Sequence, residues 1–186
     1  MTRLYLVRHG RAAARYDEEH DPGLDDVGRK QAQGVAEELA SFGPLALVTS
    51  PLRRTRETAS AFEERSGVSA TVEPAIGEIK SLTDDLDERG AWLTSILEGE
   101  CTWAELDAER RRWRDGVVSF LADLDQDTVV VSHYIAINAA VGAATGDDRV
   151  ANFRPDNCSC TTLDVDGGSL RLVQLGRQAA TAVRAE

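Results

Sequence analysis

Short, unbroken apolar runs alternate along this chain with longer stretches whose apolar residues recur at helical spacing. Leu4-Tyr5-Leu6-Val7, Leu45-Ala46-Leu47-Val48 and Val129-Val130-Val131 have no polar residue on either side of the pleat. A strand of that kind needs cover on both faces, which implies a largely parallel sheet between two layers of helices. The pattern predicts strands over 4–7, 45–48, 70–72 and 128–131, the third of them weak. It predicts helices over 26–42, 52–65, 86–97, 102–124 and 135–144. Gly43-Pro44 and Gly67 stop the first two helices. The 102–124 stretch carries Trp103, Leu106, Trp113, Val117, Phe120, Leu121 and Leu124 on one stripe. Segments 161–165 and 170–175 read as a hairpin about Asp166-Gly167-Gly168. The expected fold is therefore a three-layer α/β/α sandwich with a mostly parallel sheet. A length of 186 residues suits one such domain.

Charge narrows the partners. Acidic residues number 32 against 21 basic ones, for a net charge of −11. That disfavours nucleic acid and anionic membranes as ligands. It leaves room for a small phosphorylated molecule held by a few clustered cations. Only Lys30 and Lys80 among the basic residues are lysine, and arginine grips phosphate as a flat fork. Genome composition explains the same bias equally simply. The basic stretch Glu109-Arg110-Arg111-Arg112-Trp113-Arg114 is best read as a solvated helix face. There Asp107 and Arg111, and Arg111 and Asp115, are spaced to pair. The three cysteines lack the spacing of a redox pair or a structural zinc site, and fit a reducing compartment. No run approaches a membrane span and the N-terminal apolar run is too short for a signal core, so the expected location is the cytoplasm.

In a parallel sheet the ligand lies beyond the carboxyl ends of the strands. Arg8-His9-Gly10 follows the first strand, Ser50-Pro51-Leu52-Arg53-Arg54 the second, and Ser132-His133-Tyr134 the one at 128–131. Two of the three histidines thus stand at strand ends; His20 lies in a polar loop. Two imidazoles and two guanidinium groups around one point suit phosphoryl transfer. Arginines stabilise the equatorial oxygens. A neutral imidazole attacks phosphorus, provided its other nitrogen keeps a proton on an acceptor. A carboxylic acid must then protonate the leaving alkoxide.

These segments resemble the signatures of the histidine phosphatase superfamily, also called phosphoglycerate-mutase-like, in order and spacing over residues 4–133. They are Leu6-Val7-Arg8-His9-Gly10, Ser50-Pro51-Leu52-Arg53-Arg54-Thr55-Arg56-Glu57-Thr58-Ala59 and Val130-Val131-Ser132-His133. Leu24-Asp25-Asp26-Val27-Gly28-Arg29-Lys30-Gln31-Ala32 and Asn157-Cys158-Ser159-Cys160-Thr161 resemble two lesser marks of the family. The resemblance implies His9 as the nucleophile that becomes phosphohistidine. It implies Arg8 and Arg54 as phosphate ligands, His133 against the phosphoryl oxygens, and no metal or other cofactor. Ile76-Gly77-Glu78-Ile79 matches the family's acid-bearing segment, which nominates Glu78, with Asp84 or Asp85 behind it. The residues that follow, Lys80-Ser81-Leu82-Thr83, depart from the family pattern.

Other departures leave alternatives open. Tyr134 stands where glycine is common; its ring is expected to narrow the pocket, stack on a flat substrate group, or pack against a lid. Arg15 is either a further cation for the substrate or a surface residue. The implied protein is a single domain over 1–186 with a lid or insert around 77–105. The implied activity is metal-independent hydrolysis of a phosphate monoester. The rivals are a phosphoglycerate mutase, a phosphoprotein phosphatase and a phosphate-binding pseudoenzyme.

Overall fold

The computed structural model describes residues 1–15, 18–81, 85–98 and 101–179. Strands β1 (Thr2–Arg8), β2 (Ala46–Thr49), β3 (Thr71–Val72), β4 (Thr128–Ser132), β5 (Cys160–Asp166) and β6 (Ser169–Gln174) form one sheet. Its spatial order is β3-β2-β4-β1-β5-β6. The first four neighbours are parallel, while β5 and β6 pair antiparallel as the hairpin. Helices α1 (Asp26–Ala40), α2 (Arg53–Ser66), α3 (Leu86–Glu98), α4 (Ala108–Ala122) and α5 (Tyr134–Thr145) surround it.

Strand alternation divides the core in two. Tyr5, Val7, Val129 and Val131 turn toward Val35, Ala36, Leu39 and Phe62 of α1 and α2. Leu4, Leu6 and Val130 turn the other way, toward Val117 and Leu121 of α4 and Ile137 and Ala140 of α5. The central strands therefore need apolar residues at every position, as the unbroken runs indicated. The expected three-layer sandwich is the fold found.

Two local expectations are corrected. The 102–124 stretch is not one helix. A short 3₁₀ turn at Trp103–Glu105 is closed by a Thr102/Glu105 capping box, and α4 starts afresh behind the N-cap Asp107. The apolar stripe runs through both pieces, so periodicity alone does not show the break. The charge pairing on α4 also differs. Asp107 pairs with Arg110 and Asp115 with Arg114, whereas Arg111 donates to the carbonyls of Ala104 and Leu106. Arg110 is accordingly buried rather than solvated.

The 24–32 segment explains itself as a brace for the loop after β1. Asp25 caps α1 through Gly28 N–H and pairs with Arg11. Gln31 Oε1 accepts Arg11 N–H at 2.9 Å. A Cβ at Gly28 would sit 2.2 Å from the Arg11 carbonyl oxygen, so only glycine permits the approach. Among the described residues, no helix is long and apolar enough to cross a membrane.

Candidate active site

The path of the chain makes the site. It runs β1, then β2 and β3 outward, and returns to insert β4 between β2 and β1. Arg8 lies level with Ser132, and Val131 with Thr49, so three neighbouring strands end together. Such a reversal in strand order opens a crevice at the carboxyl ends. Arg8 and His9 leave β1 there, Ser50 leaves β2, and His133 leaves β4. Arg54 enters from the first turn of α2.

Four of the expected residues converge and are buried: Arg8, His9, Arg54 and His133. The imidazole centroids of His9 and His133 are 5.3 Å apart. His9 Nδ1 lies 2.8 Å from the Gly10 carbonyl oxygen, which only a protonated nitrogen can satisfy. Nε2 is then the lone-pair nitrogen, and it accepts Arg54 Nε–H at 3.2 Å. Burial, then Arg54 and Arg8, holds the His9 pKa well below its ordinary value, so the ring is neutral. His133 is depressed in the same way, by burial first and then by Arg54, His9 and Arg8. Its Nε2 lies 2.7 Å from Ser50 Oγ, and Ser50 Oγ lies 2.8 Å from Thr55 Oγ1. Thr55 in turn donates to the Leu52 carbonyl at 2.6 Å.

Backbone carbonyls and amides fix the first loop from both sides. Arg8 Nη1 donates to the Pro155 carbonyl at 3.0 Å. Asn157 Nδ2 donates to the His9 carbonyl at 3.1 Å, and Cys158 N–H to that of Arg8 at 2.9 Å. Gly10 N–H donates to Thr58 Oγ1 at 3.0 Å.

Glu78 lies partly buried in the irregular stretch after Ile76. Burial raises its pKa to about 7, against the opposing pull of the Ile79 and Ile135 amides, Arg54 and Arg8. Those cations place the carboxyl beside the cluster. Asp85 is exposed and caps α3 through Glu88 N–H; Asp84 lies outside the described residues.

Tyr134 opens α5, with the Arg8 guanidinium 5.4 Å from its ring centroid. The ring also packs with Ile79, Leu93, Ile96 and Trp103. Arg15 is exposed, its backbone N–H on Glu18, and is not part of the buried cluster.

Sequence reasoning assigned no role to Ser50, Thr58 or Asn157, although each lies in a quoted signature. It also set His20 aside as a loop residue. His20 lines a cavity of about 500 Å³ that shares Arg54 and Glu78 with the cluster. Pro51, Leu52, Ile79, Lys80 and Trp113 form more of its wall. Among the described residues, no group of three or more histidine, cysteine, aspartate or glutamate side chains is arranged to hold a metal ion.

The sequence model of the histidine phosphatase superfamily (branch 1) matches residues 4–178. The chain belongs to that superfamily. A glucosyl-3-phosphoglycerate phosphatase of Mycobacterium tuberculosis is 33% identical over 177 residues, covering 81% of this chain and 78% of that protein. Its counterpart in Mycolicibacterium vanbaalenii is 29% identical over 157 residues, which are 79% of this chain but 65% of that longer protein. A probable phosphoglycerate mutase of an Enterobacter species is 29% identical over 183 residues, 88% of this chain and 85% of that one. Among solved structures, a mycobacterial glucosyl-3-phosphoglycerate phosphatase complexed with VO3 superposes with a TM-score of 0.72. It is 27% identical and is covered in full, with 97% of this chain included. The histidine phosphatase resemblance drawn from the strand-end motifs and the sandwich fold are both borne out.

Proposed function

We propose that this histidine phosphatase hydrolyses a phosphate monoester without a metal, through a phosphohistidine on His9. The observation that carries the reading is His9 Nε2 itself. Its partner nitrogen is committed to the Gly10 carbonyl, its ring is neutral, and two guanidinium groups stand beside it. Arg54 Nε–H occupies the lone pair here, and an incoming phosphoryl group competes for that donor. The arginine then turns its charge to the phosphate, leaving Nε2 bare for in-line attack.

Arg8 and Arg54 offset the charge of the transferring group. His133 contributes from the neighbouring strand, and the amide end of α5 adds a partial positive charge. Glu78, protonated near neutral pH, gives its proton to the leaving alkoxide. The resulting carboxylate then takes a proton from the water that attacks phosphohistidine. Tyr134 stacks on Arg8 and steadies that phosphate ligand, and the described residues within 77–105 serve as the cover over the site. The leaving group occupies the cavity of about 500 Å³, which is roomy enough for a sugar-sized organic group. Arg15, on the exposed rim, meets only a substrate long enough to leave that cavity.

The experiment is to treat the wild type and His9→Ala with phosphorus-labelled p-nitrophenyl phosphate. An acid-labile, base-stable adduct on His9 is expected. Normal turnover by H9A would refute covalent catalysis at this residue. The mutase reading has support from the Enterobacter relative, and it predicts isomerised phosphoglycerate rather than free phosphate. Measuring both products separates the two.

A further inference from the structure

The stretch that carries Glu78, residues 77–81, has no strand or helix hydrogen bonding of its own. Gly77 N–H donates to the Pro74 carbonyl and the Ile79 amide to Glu78 Oε1, and beyond these side chains hold it. Ile79 is buried against Leu93, Ile96 and Tyr134. Arg110 Nη2 reaches from α4 and donates to the Lys80 carbonyl at 3.0 Å. The same guanidinium pairs through Nη1 with Asp107 Oδ2 at 2.5 Å, and stacks over Trp92 of α3 with its carbon 5.2 Å from the ring centroid. Asp107 is itself fixed as the N-cap of α4, accepting the Glu109 and Arg110 N–H groups. A planar fork gripped on one edge and stacked on one face has little freedom left. Its remaining edge therefore fixes the Lys80 carbonyl, two residues beyond Glu78. This is also where the chain departs from the family pattern, at Lys80-Ser81.

We infer that Arg110 is a positioning residue for the proton donor: through the Lys80 carbonyl it holds Glu78 beside the leaving group and partly shielded from water. The inference rests on the reading of Glu78 as that donor. Arg110 has no part in the attack by His9. Its loss therefore slows esters that need a proton and spares those that do not.

The test compares kcat/KM for an alkyl phosphate and for p-nitrophenyl phosphate, from acid to alkaline pH. The proteins are the wild type, Glu78→Gln, Arg110→Met, Arg110→Lys and Trp92→Leu. R110M is expected to lose about 10–100-fold on the alkyl ester and about twofold or less on the p-nitrophenyl ester. Its alkaline limb moves below that of the wild type, because a freed carboxyl regains water and its pKa falls back from about 7. R110K, which keeps one donor for the carbonyl, recovers part of the loss. W92L removes the stack but leaves the Asp107 and Lys80 contacts of Arg110, so it lowers the melting temperature and shifts the ratio of the two esters far less than R110M does. Equal losses on both esters in R110M, or a ratio shift in W92L as large as that in R110M, would reduce Arg110 to helix packing and overturn the inference. If E78Q itself slowed both esters equally, Glu78 would not be the donor and the inference would fall with it. That outcome is read from E78Q alone.

Discussion

Glu78→Gln tests the acid step most directly. The glutamine keeps the shape of the side chain and removes the transferable proton. Burial raises the Glu78 pKa to about 7 despite Arg54 and Arg8 nearby. The carboxyl is thus mostly protonated below about pH 7 and about one-tenth protonated a unit higher. Wild-type kcat/KM on an alkyl phosphate, which reports groups of the free enzyme, should fall tenfold per pH unit above that point. A positioned general acid contributes about 10²–10⁴-fold, so E78Q should lose that much on the alkyl ester and show no alkaline limb. p-Nitrophenolate leaves without help, and kcat/KM for its ester should change far less. The kcat values tell the second half. Loss of the base slows hydrolysis of phosphohistidine, so the adduct accumulates with p-nitrophenyl phosphate, whose first step is spared, and its kcat falls even though its kcat/KM hardly does.

The same shift has a stability consequence of definite sign. A carboxyl whose folded pKa exceeds its unfolded value binds its proton more tightly when folded. Stability is therefore lost as pH rises from the unfolded value of 4.5 through about 7. At ~1.4 kcal/mol per unit the upper bound is ~3 kcal/mol, and residual access to water brings the expectation to ~1–2 kcal/mol. E78Q should accordingly unfold at higher urea than the wild type at alkaline pH, with the gap closing toward acid pH. Equal kcat/KM losses on both esters, together with a pH-independent stability difference, would refute the assignment.

Two further predictions follow from the loops that hold the cluster. Ser50→Ala removes the hydroxyl 2.7 Å from His133 Nε2 and frees the tautomer of that ring. It should cost about 10–100-fold in kcat/KM on both esters while the melting curve stays near that of the wild type. Unchanged kinetics would show that the ring needs no such partner. Cys158 holds a positive φ of 51°, where a β-branched residue is strained. Cys158→Val should therefore unfold in urea ~1–2 kcal/mol less stable than the wild type, although valine suits an apolar site. Equal stability would mean that the turn relaxes without cost.

The fold was legible because the central strands are apolar on both faces, and that requirement leaves few architectures. The positions of Arg8, His9, Arg54 and His133 were legible because strand ends in a parallel sheet are predictable from the strands themselves. What escaped depends on contacts between distant segments. Ser50 acquires its role only because β4 inserts beside β2, which brings His133 to it. Arg110 looks like its neighbours Arg111 and Arg112 in sequence. Only the Trp92 ring and the Lys80 carbonyl, both from elsewhere, make it a buried residue. The break before α4 escaped for the opposite reason, since a continuous apolar stripe masked two local start signals at Thr102 and Asp107.

The two halves of the site are supported by different physics, and the reaction accounts for the difference. In-line attack tolerates little error in the path from nitrogen to phosphorus. His9 is accordingly fixed by a strand end, by the Gly10 carbonyl on its ring, and by Asn157 on its backbone. On the proposed reading, Glu78 has to give a proton in one step and take one in the next, with the leaving group replaced by water between them. A carboxyl on an irregular stretch, tied by the Ile79 side chain and by one guanidinium, can serve two oxygens at slightly different positions. A strand-end carboxyl would be fixed on one of them. Its pKa of about 7 suits both steps, since neither protonation state is strongly preferred at neutral pH. Tightening that stretch should therefore speed proton delivery at the expense of phosphohistidine hydrolysis, and loosening it should slow both.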